Sequence, residues 1–200
     1  EFKALREEYG IDNNPRFVVG ATDDEQGAVF VINDTIEGRE IVLGVFSEKE
    51  KSEIGPKLDK LFSSILDYLT KKYHTGGPVL SDIESRRQYM FNEKTGRPYL
   101  VDTDVLLKKE TTKKYILELI VESIGYSEFD EYDEEGNHTT RYERNVDNDS
   151  IIDMEKKFEK IFIGFRSKLG EFIDSLGTEE KNEHKKELKI MTNFLKNKPV

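Results

Sequence analysis

Apolar residues follow two different periods along this chain. Phe2, Leu5 and Tyr9 share one face at helical spacing, and Gly10 follows as a stop, which predicts a short helix over 1–9. Asn13-Asn14-Pro15 is a turn signal. Residues 16–21 and 28–32 are short runs rich in Val, Phe and Ile. The polar, Gly-terminated stretch 22–27 joins them, which is the pattern of a β-hairpin. Residues 41–46 form a third apolar run, either a strand or the start of a helical connection.

The longest helical signal follows Gly55-Pro56. Leu58, Leu61, Phe62, Ile65, Leu66 and Leu69 make one continuous face. Pro56 suits a first helical turn, where its missing N–H costs nothing. Gly76-Gly77-Pro78 ends the segment, with Lys71, Lys72 and His74 near the negative end of the helix dipole. Residues 78–87 read as irregular. Residues 88–91 and 98–101 are strand-like and flank a turn-rich linker containing Gly96, a second hairpin. Residues 113–124 read as a buried helix, with a strand as the alternative.

Residues 128–135 hold six acidic side chains in eight positions and predict an exposed loop or a mobile hairpin. Two helices close the chain. Over 150–176, Ile152, Phe158, Ile161, Phe162, Phe165, Leu169 and Phe172 keep near-helical spacing, with a kink or break at Gly164 or Gly170. This aromatic row reads as core. Over 178–195, Thr178 is the expected N-cap, and Glu179 and Glu180 sit where the helix dipole favours acids. Strands followed by a run of helices argue for an α+β fold. It comprises a small N-terminal β-hairpin layer and a mainly helical part that contains the second hairpin.

Composition narrows the function classes. The 200 residues carry 31 Lys and Arg against 41 Asp and Glu, a net charge of −10. An acidic chain without a long basic run is a poor binder of a nucleic acid backbone or an anionic membrane surface. The absence of cysteine excludes disulfides, Cys-based zinc sites and thiol catalysis. No apolar run approaches the roughly 18 residues of a membrane span, and there is no signal-like start. With the lack of Cys, this reads as a cytoplasmic chain. It opens on Glu1-Phe2-Lys3 without Met, so a fragment or a processed chain stands as an alternative to a complete one.

Candidate chemistry centres on acidic residues at strand ends. Asp102-Thr103-Asp104 follows the apolar run Pro98-Tyr99-Leu100-Val101. Residues i and i+2 of a strand point the same way, so two carboxylates converge on one cation, and oxygen ligands suit Mg²⁺. The competing reading is that these residues merely terminate the strand. Asp82 stands upstream, in the segment after the long helix. His74, His138 and His184 are scattered and match no ligand spacing. Arg86 and Arg87 meet a substrate phosphate, are exposed, or pair with a neighbour such as Glu84.

The order amphipathic helix, Val79-Leu80-Ser81-Asp82, hairpin, Leu100-Val101-Asp102 resembles the protein-kinase-like superfamily, and its small-molecule and atypical kinase branches most. Leu80-Ser81-Asp82 is similar to the His-Arg-Asp site, and Leu100-Val101-Asp102-Thr103-Asp104 to the metal site, with Thr103-Asp104 at Phe-Gly. The stretch from Ala28 to Ile41, with Asn33, Asp34, Ile36 and Glu37-Gly38, is similar to the last N-lobe strand and hinge. The resemblance spans about residues 1–107. It implies two parts: 1–46, a partial N-lobe-like helix and hairpin with hinge, and 47–200, a helical C-lobe-like domain.

It also implies roles. Asp82 orients or deprotonates an attacking hydroxyl. Asp102 and Asp104 hold Mg²⁺ against the ATP phosphates, and backbone groups at Asn33, Asp34 and Ile36 face adenine. The catalytic-loop Asn position falls on Arg87, and Gln88, one residue on, supplies the amide oxygen if the register slips by one. No Gly-rich phosphate loop and no strand Lys of the Val-Ala-Ile-Lys type stands upstream in this chain. The implied function is a kinase-like phosphotransferase that binds ATP and Mg²⁺ and acts on a small-molecule or protein hydroxyl. The alternative is a catalytically inactive, pseudokinase-like or α+β interaction domain. Its acidic stretch 128–135 would then receive a basic protein partner.

Overall fold

The computed structural model describes residues 2–13, 18–21, 29–32, 38–40, 45–80, 83, 85–92, 95–100, 107–108, 111–132, 136, 138–145 and 150–197. Helix α1 (Phe2–Tyr9) ends at Gly10, whose φ of +67° favours glycine. Ile11 N donates to Leu5 O at 3.0 Å and turns the chain into β1 (Asp12–Asn13). β2 (Val18–Ala21) and β3 (Val29–Ile32) form the expected antiparallel hairpin, with Val18 opposite Ile32. The next strand, β4 (Gly38–Glu40), precedes the third apolar run. Positions 41–44 of that run lie outside the described residues, and Val45 and Phe46 belong to no regular element.

Helix α2 (Glu48–Thr75) begins earlier than the apolar pattern predicts. Ser47 and Glu50 make a capping box: Ser47 N donates to Glu50 Oε2 at 2.8 Å, and Glu50 N donates to Ser47 Oγ at 3.4 Å. Pro56 therefore lies inside the helix rather than in its first turn. An interior proline costs about 3 kcal/mol. Leu58, Leu61, Phe62, Ile65, Leu66 and Leu69 are all buried, and each such side chain contributes about 1.5–3 kcal/mol. Burial outweighs the proline, so the helix runs through it. Gly76, at φ +72°, ends it as expected.

The segment expected to be irregular contains order. β5 (Val79–Leu80) pairs antiparallel with β8 (Leu107–Lys108), with Leu80 opposite Leu107. A 3-10 turn, Arg86–Gln88, leads into β6 (Tyr89–Asn92), which pairs with β7 (Pro98–Leu100) as the second expected hairpin, Tyr89 opposite Leu100. Both outer strands of this sheet come from the start of the chain. Its order is β1-β7-β6-β4, with β1 parallel to β7 and β4 antiparallel to β6.

Helix α3 (Lys113–Ile124) is the expected buried helix, and Thr112 caps it by accepting from Tyr115 N at 3.1 Å. Gly125 stops it at φ +115°, where a Cβ would lie 2.7 Å from Ser150 Oγ. The acidic stretch falls largely on a strand, β9 (Tyr126–Tyr132), paired with β10 (His138–Arg144). The closing helices are four: α4 (Ile151–Lys157), α5 (Ile163–Ser175), α6 (Thr178–Glu183) and α7 (Lys185–Lys196).

The break after α4 falls at 158–162, ahead of both glycines. Glu159 takes the left-handed conformation there (φ +49°). Lys160 N donates to Glu155 O at 3.0 Å and Glu159 N to Lys156 O at 3.1 Å, the paired bonds of a Schellman stop. Gly164 instead lets α5 approach α2 closely, since a Cβ would lie 3.0 Å from Ser63 Oγ. Asp59 of α2 accepts from Gly164 N and Phe165 N, both at 2.9 Å, and so caps α5 from another helix. The N-cap of α6 is Gly177 rather than Thr178, which makes Glu180 the third helical residue; its Oε2 accepts from Gly177 N at 3.0 Å.

The architecture is α+β, with the helices mainly in the C-terminal part. One buried cluster joins Leu5 and Ile11 to α2, β5–β7, α3 and the closing helices, and it includes Phe158, Phe162, Phe165 and Phe172 as the aromatic row predicts. Among the described residues no helix is long and apolar enough to cross a membrane.

Candidate functional site

Asp82, Asp102, Asp104, Asn33, Asp34 and Ile36 lie outside the described residues. Described strands precede Asp82 and Asp102 in sequence. β5 ends two positions before Asp82, and β7 ends two positions before Asp102. Leu80 pairs with Leu107, and Tyr89 pairs with Leu100. The chain therefore leaves the β5–β8 pair at Leu80 and reaches the β6–β7 pair at Tyr89. It later leaves that second pair at Leu100 and returns to the first at Leu107. Two successive stretches share the same two anchors, whose facing Cα atoms are about 4.5–5.5 Å apart in any antiparallel ladder.

Buried hydroxyls hold the first stretch to the core. Leu80 N donates to Tyr68 Oη at 3.1 Å, so β5 is fastened to α2. Tyr89 Oη donates to Ile83 O at 2.8 Å, fastening the middle of the stretch to the start of β6. Both tyrosines are buried, and Ile83 is fully so. Arg86 is 1% exposed, with its guanidinium 4.2 Å from the Phe62 ring centroid. This corrects the surface reading of Arg86: it is a core cation stacked on an aromatic face. Arg87 is exposed.

Of the residues proposed to hold nucleotide or metal, Gln88 alone is described. Its Oε1 is buried and accepts no hydrogen bond among the described residues. An orphaned amide oxygen is costly unless something fills its lone pairs, and a hard cation does so. Among the described residues no group of three or more His, Cys, Asp or Glu side chains could hold a metal.

The other conspicuous residues read as structural. His74 packs edge-on against Tyr73 and Phe172. His184 is buried between α6 and α7 rather than within the last helix, with Nε2 3.9 Å from Glu183. The β9–β10 hairpin is docked by Tyr142 Oη, which donates to Glu187 Oε1 at 2.9 Å, and by Lys186 Nζ, which donates to Thr140 O at 2.6 Å. Burial and the Glu187 carboxylate push the Tyr142 hydroxyl far above its ordinary range. Burial, with Glu128 beside it, holds Glu118 above the usual carboxylate range. The outer part of the hairpin exposes Phe129 and Tyr132 among acids.

No protein-family model matches this chain, and no curated protein or solved structure is significantly similar to it.

Proposed function

We propose that the chain is a kinase-like domain that binds a nucleoside triphosphate with Mg²⁺ and transfers its terminal phosphoryl group to a hydroxyl. One observation carries this reading: the stretches bearing Asp82 and Asp102-Thr103-Asp104 run between the same two strand pairs. Segments of eight and six residues tied at shared anchors are short enough for their carboxylates to meet at one bound cation. Gln88 Oε1, buried and without a described donor, fits a further oxygen ligand.

In this reading Asp82 accepts the proton of the attacking hydroxyl. That oxygen bonds to the γ-phosphorus as the bond to the bridging oxygen of the diphosphate breaks. Asp102 and Asp104, with Gln88, would hold Mg²⁺, which neutralises charge on the phosphates when bound. Asn33, Asp34 and Ile36 would meet the base through their backbone. Tyr68 and Tyr89, bonded to Leu80 N and Ile83 O, and Phe62, stacked with Arg86, would act as positioning residues, as a preorganised site requires.

The exposed Phe129 and Tyr132 beside Glu128, Asp130 and Glu131 favour a second reading, an interaction domain whose acidic hairpin receives a basic partner. Thermal unfolding separates the two. A ligand at a hundred times its Kd stabilises by about 2.7 kcal/mol, or roughly 5–10 °C in a chain of this size. Mg²⁺ with ATP should produce that shift, and Asp102→Ala should abolish it. The nucleotide reading fails if millimolar Mg²⁺ and ATP leave Tm unchanged in the parent chain. Asp82→Asn should keep the thermal shift and lose turnover; full activity in that variant removes Asp82 from the mechanism.

A further inference from the structure

A second candidate site lies beside the first helix. Between α1, the middle of α2 and the β6–β7 turn is a cavity of about 350 Å³. Arg6, Lys57, Lys60 and Arg97 line it, and none of its described lining residues is a carboxylate. In a chain with ten more acids than bases, four cations facing one cavity are a local inversion of the overall charge. Several basic residues elsewhere meet acids: Lys71 with Glu8, Lys168 with Asp67, Lys113 with Glu180, Arg166 with Glu155. Arg6, Lys57 and Lys60 make no ion pair or hydrogen bond among the described residues.

The backbone accommodates this arrangement. Gly96 sits at φ +64°, and a Cβ there would lie 2.7 Å from Lys57 Nζ. Any side chain at 96 would displace the ammonium group from the wall. The like charges of Arg6, Lys57 and Lys60 repel where they converge, and an anion bound among them would relieve that repulsion. The remaining walls are not polar throughout. Tyr9, Leu61 and Pro98 supply apolar surface, and Ser64 adds a hydroxyl. The volume lies at the lower end of small-molecule sites.

We propose that this cavity binds a small phosphate monoester with an aromatic or apolar body. The phosphate would be held by Lys57, Lys60 and Arg6, and the body would lie against Tyr9, Leu61 and Pro98. Charge-assisted hydrogen bonds from several cations supply the affinity, and the apolar wall distinguishes an ester from inorganic phosphate. The site needs no metal and is separate from the nucleotide reading above.

The full chain, in EDTA at about 0.15 M salt to screen distant charges, is titrated with phenyl phosphate and with inorganic phosphate, followed by calorimetry and thermal unfolding. Phenyl phosphate should bind more tightly than inorganic phosphate. The double variant Lys57→Gln with Lys60→Gln should weaken phenyl phosphate by about tenfold or more, the loss of roughly one charged hydrogen bond. Its Tm without ligand should stay level or rise, because repulsion is relieved. Asp102→Ala should bind phenyl phosphate as the parent does.

The proposal falls if about 10 mM phenyl phosphate, a concentration that detects millimolar affinity, neither binds nor shifts Tm. It falls equally if the double variant binds unchanged, or if Asp102→Ala abolishes binding. Should the double variant fail to fold, Arg6→Gln, on the exposed side of the short first helix, carries the same readout: weaker phenyl phosphate sustains the proposal, and unchanged binding overturns it.

Discussion

Glu155 and Arg166 form the most demanding electrostatic contact in the helical part. The Glu155 side chain is 0% exposed and that of Arg166 13%. Glu155 accepts from Arg166 Nε at 2.9 Å, from Arg166 Nη2 at 2.7 Å and from Phe162 N at 2.8 Å. Arg166 also donates to Phe194 O at 2.7 Å and stacks on the Phe194 ring at 4.0 Å. The pair ties α4, the break after it, α5 and α7 into one joint. Glu155→Gln keeps the shape and an acceptor but leaves a largely buried guanidinium without its counter-charge.

Breaking a buried pair from one side costs about 3–5 kcal/mol. At about 2–4 °C per kcal/mol for this chain length, Tm should fall by roughly 10 °C. Urea unfolding of the parent, Glu155→Gln, Arg166→Met and the double variant completes a cycle. Each single change should be severe, and the double should cost about 2 kcal/mol less than their sum because no unpaired charge remains. Additive losses, with coupling below about 0.5 kcal/mol, would refute the buried pair as the source of the joint.

Three further outcomes follow from local geometry. Glu159→Gly should be more stable than Glu159→Ala by about 1 kcal/mol in urea unfolding, since only glycine relieves the left-handed backbone and both variants lose the weak contact to Lys51; equal stability would sink the strained stop. Hydrogen bonds from Lys113 at 2.5 Å and Gly177 N hold Glu180 down at about 2. Its depressed value stabilises the fold above the ordinary carboxylate range and is lost as pH falls through that range towards 2. The Tm gap between the parent and Glu180→Gln should thus close on acidification, and a constant gap would contradict it. Tyr68→Phe leaves the Leu80 N–H without its acceptor, should cost about 1–3 kcal/mol in unfolding, and should blunt the nucleotide-dependent shift; an unperturbed variant would deny the fastening of β5.

Elements with a strong local period were legible before any coordinates. Helix α3 agrees with its apolar spacing, and both early hairpins follow their turn residues. Boundaries governed by other chemistry were not. Pro56 suggested a helix start, whereas the Ser47–Glu50 box sets it, and that box was readable as Ser-x-x-Glu. Gly164 suggested a break, but the break sits at Glu159, a residue with no local preference for φ > 0. β5 and β8 are two residues each, too short to carry a period, and only their pairing defines them. The candidate carboxylates stood out because acids at strand ends are conspicuous. The basic cavity did not, because its cations come from α1, α2 and the β6–β7 turn, and no sequence spacing links the three.

The sheet order β1-β7-β6-β4 has a consequence for how the chain can be made or shortened. The central hairpin is synthesised after both strands that flank it, so β4 must wait for its partner until residue 92 has emerged and β1 until residue 100. Such long-range closure slows folding. A chain starting at Phe46 would keep the hairpin but strip both its sides, and bare strand edges recruit other chains. β1 and β4 thus serve the later strands as built-in guards against self-association.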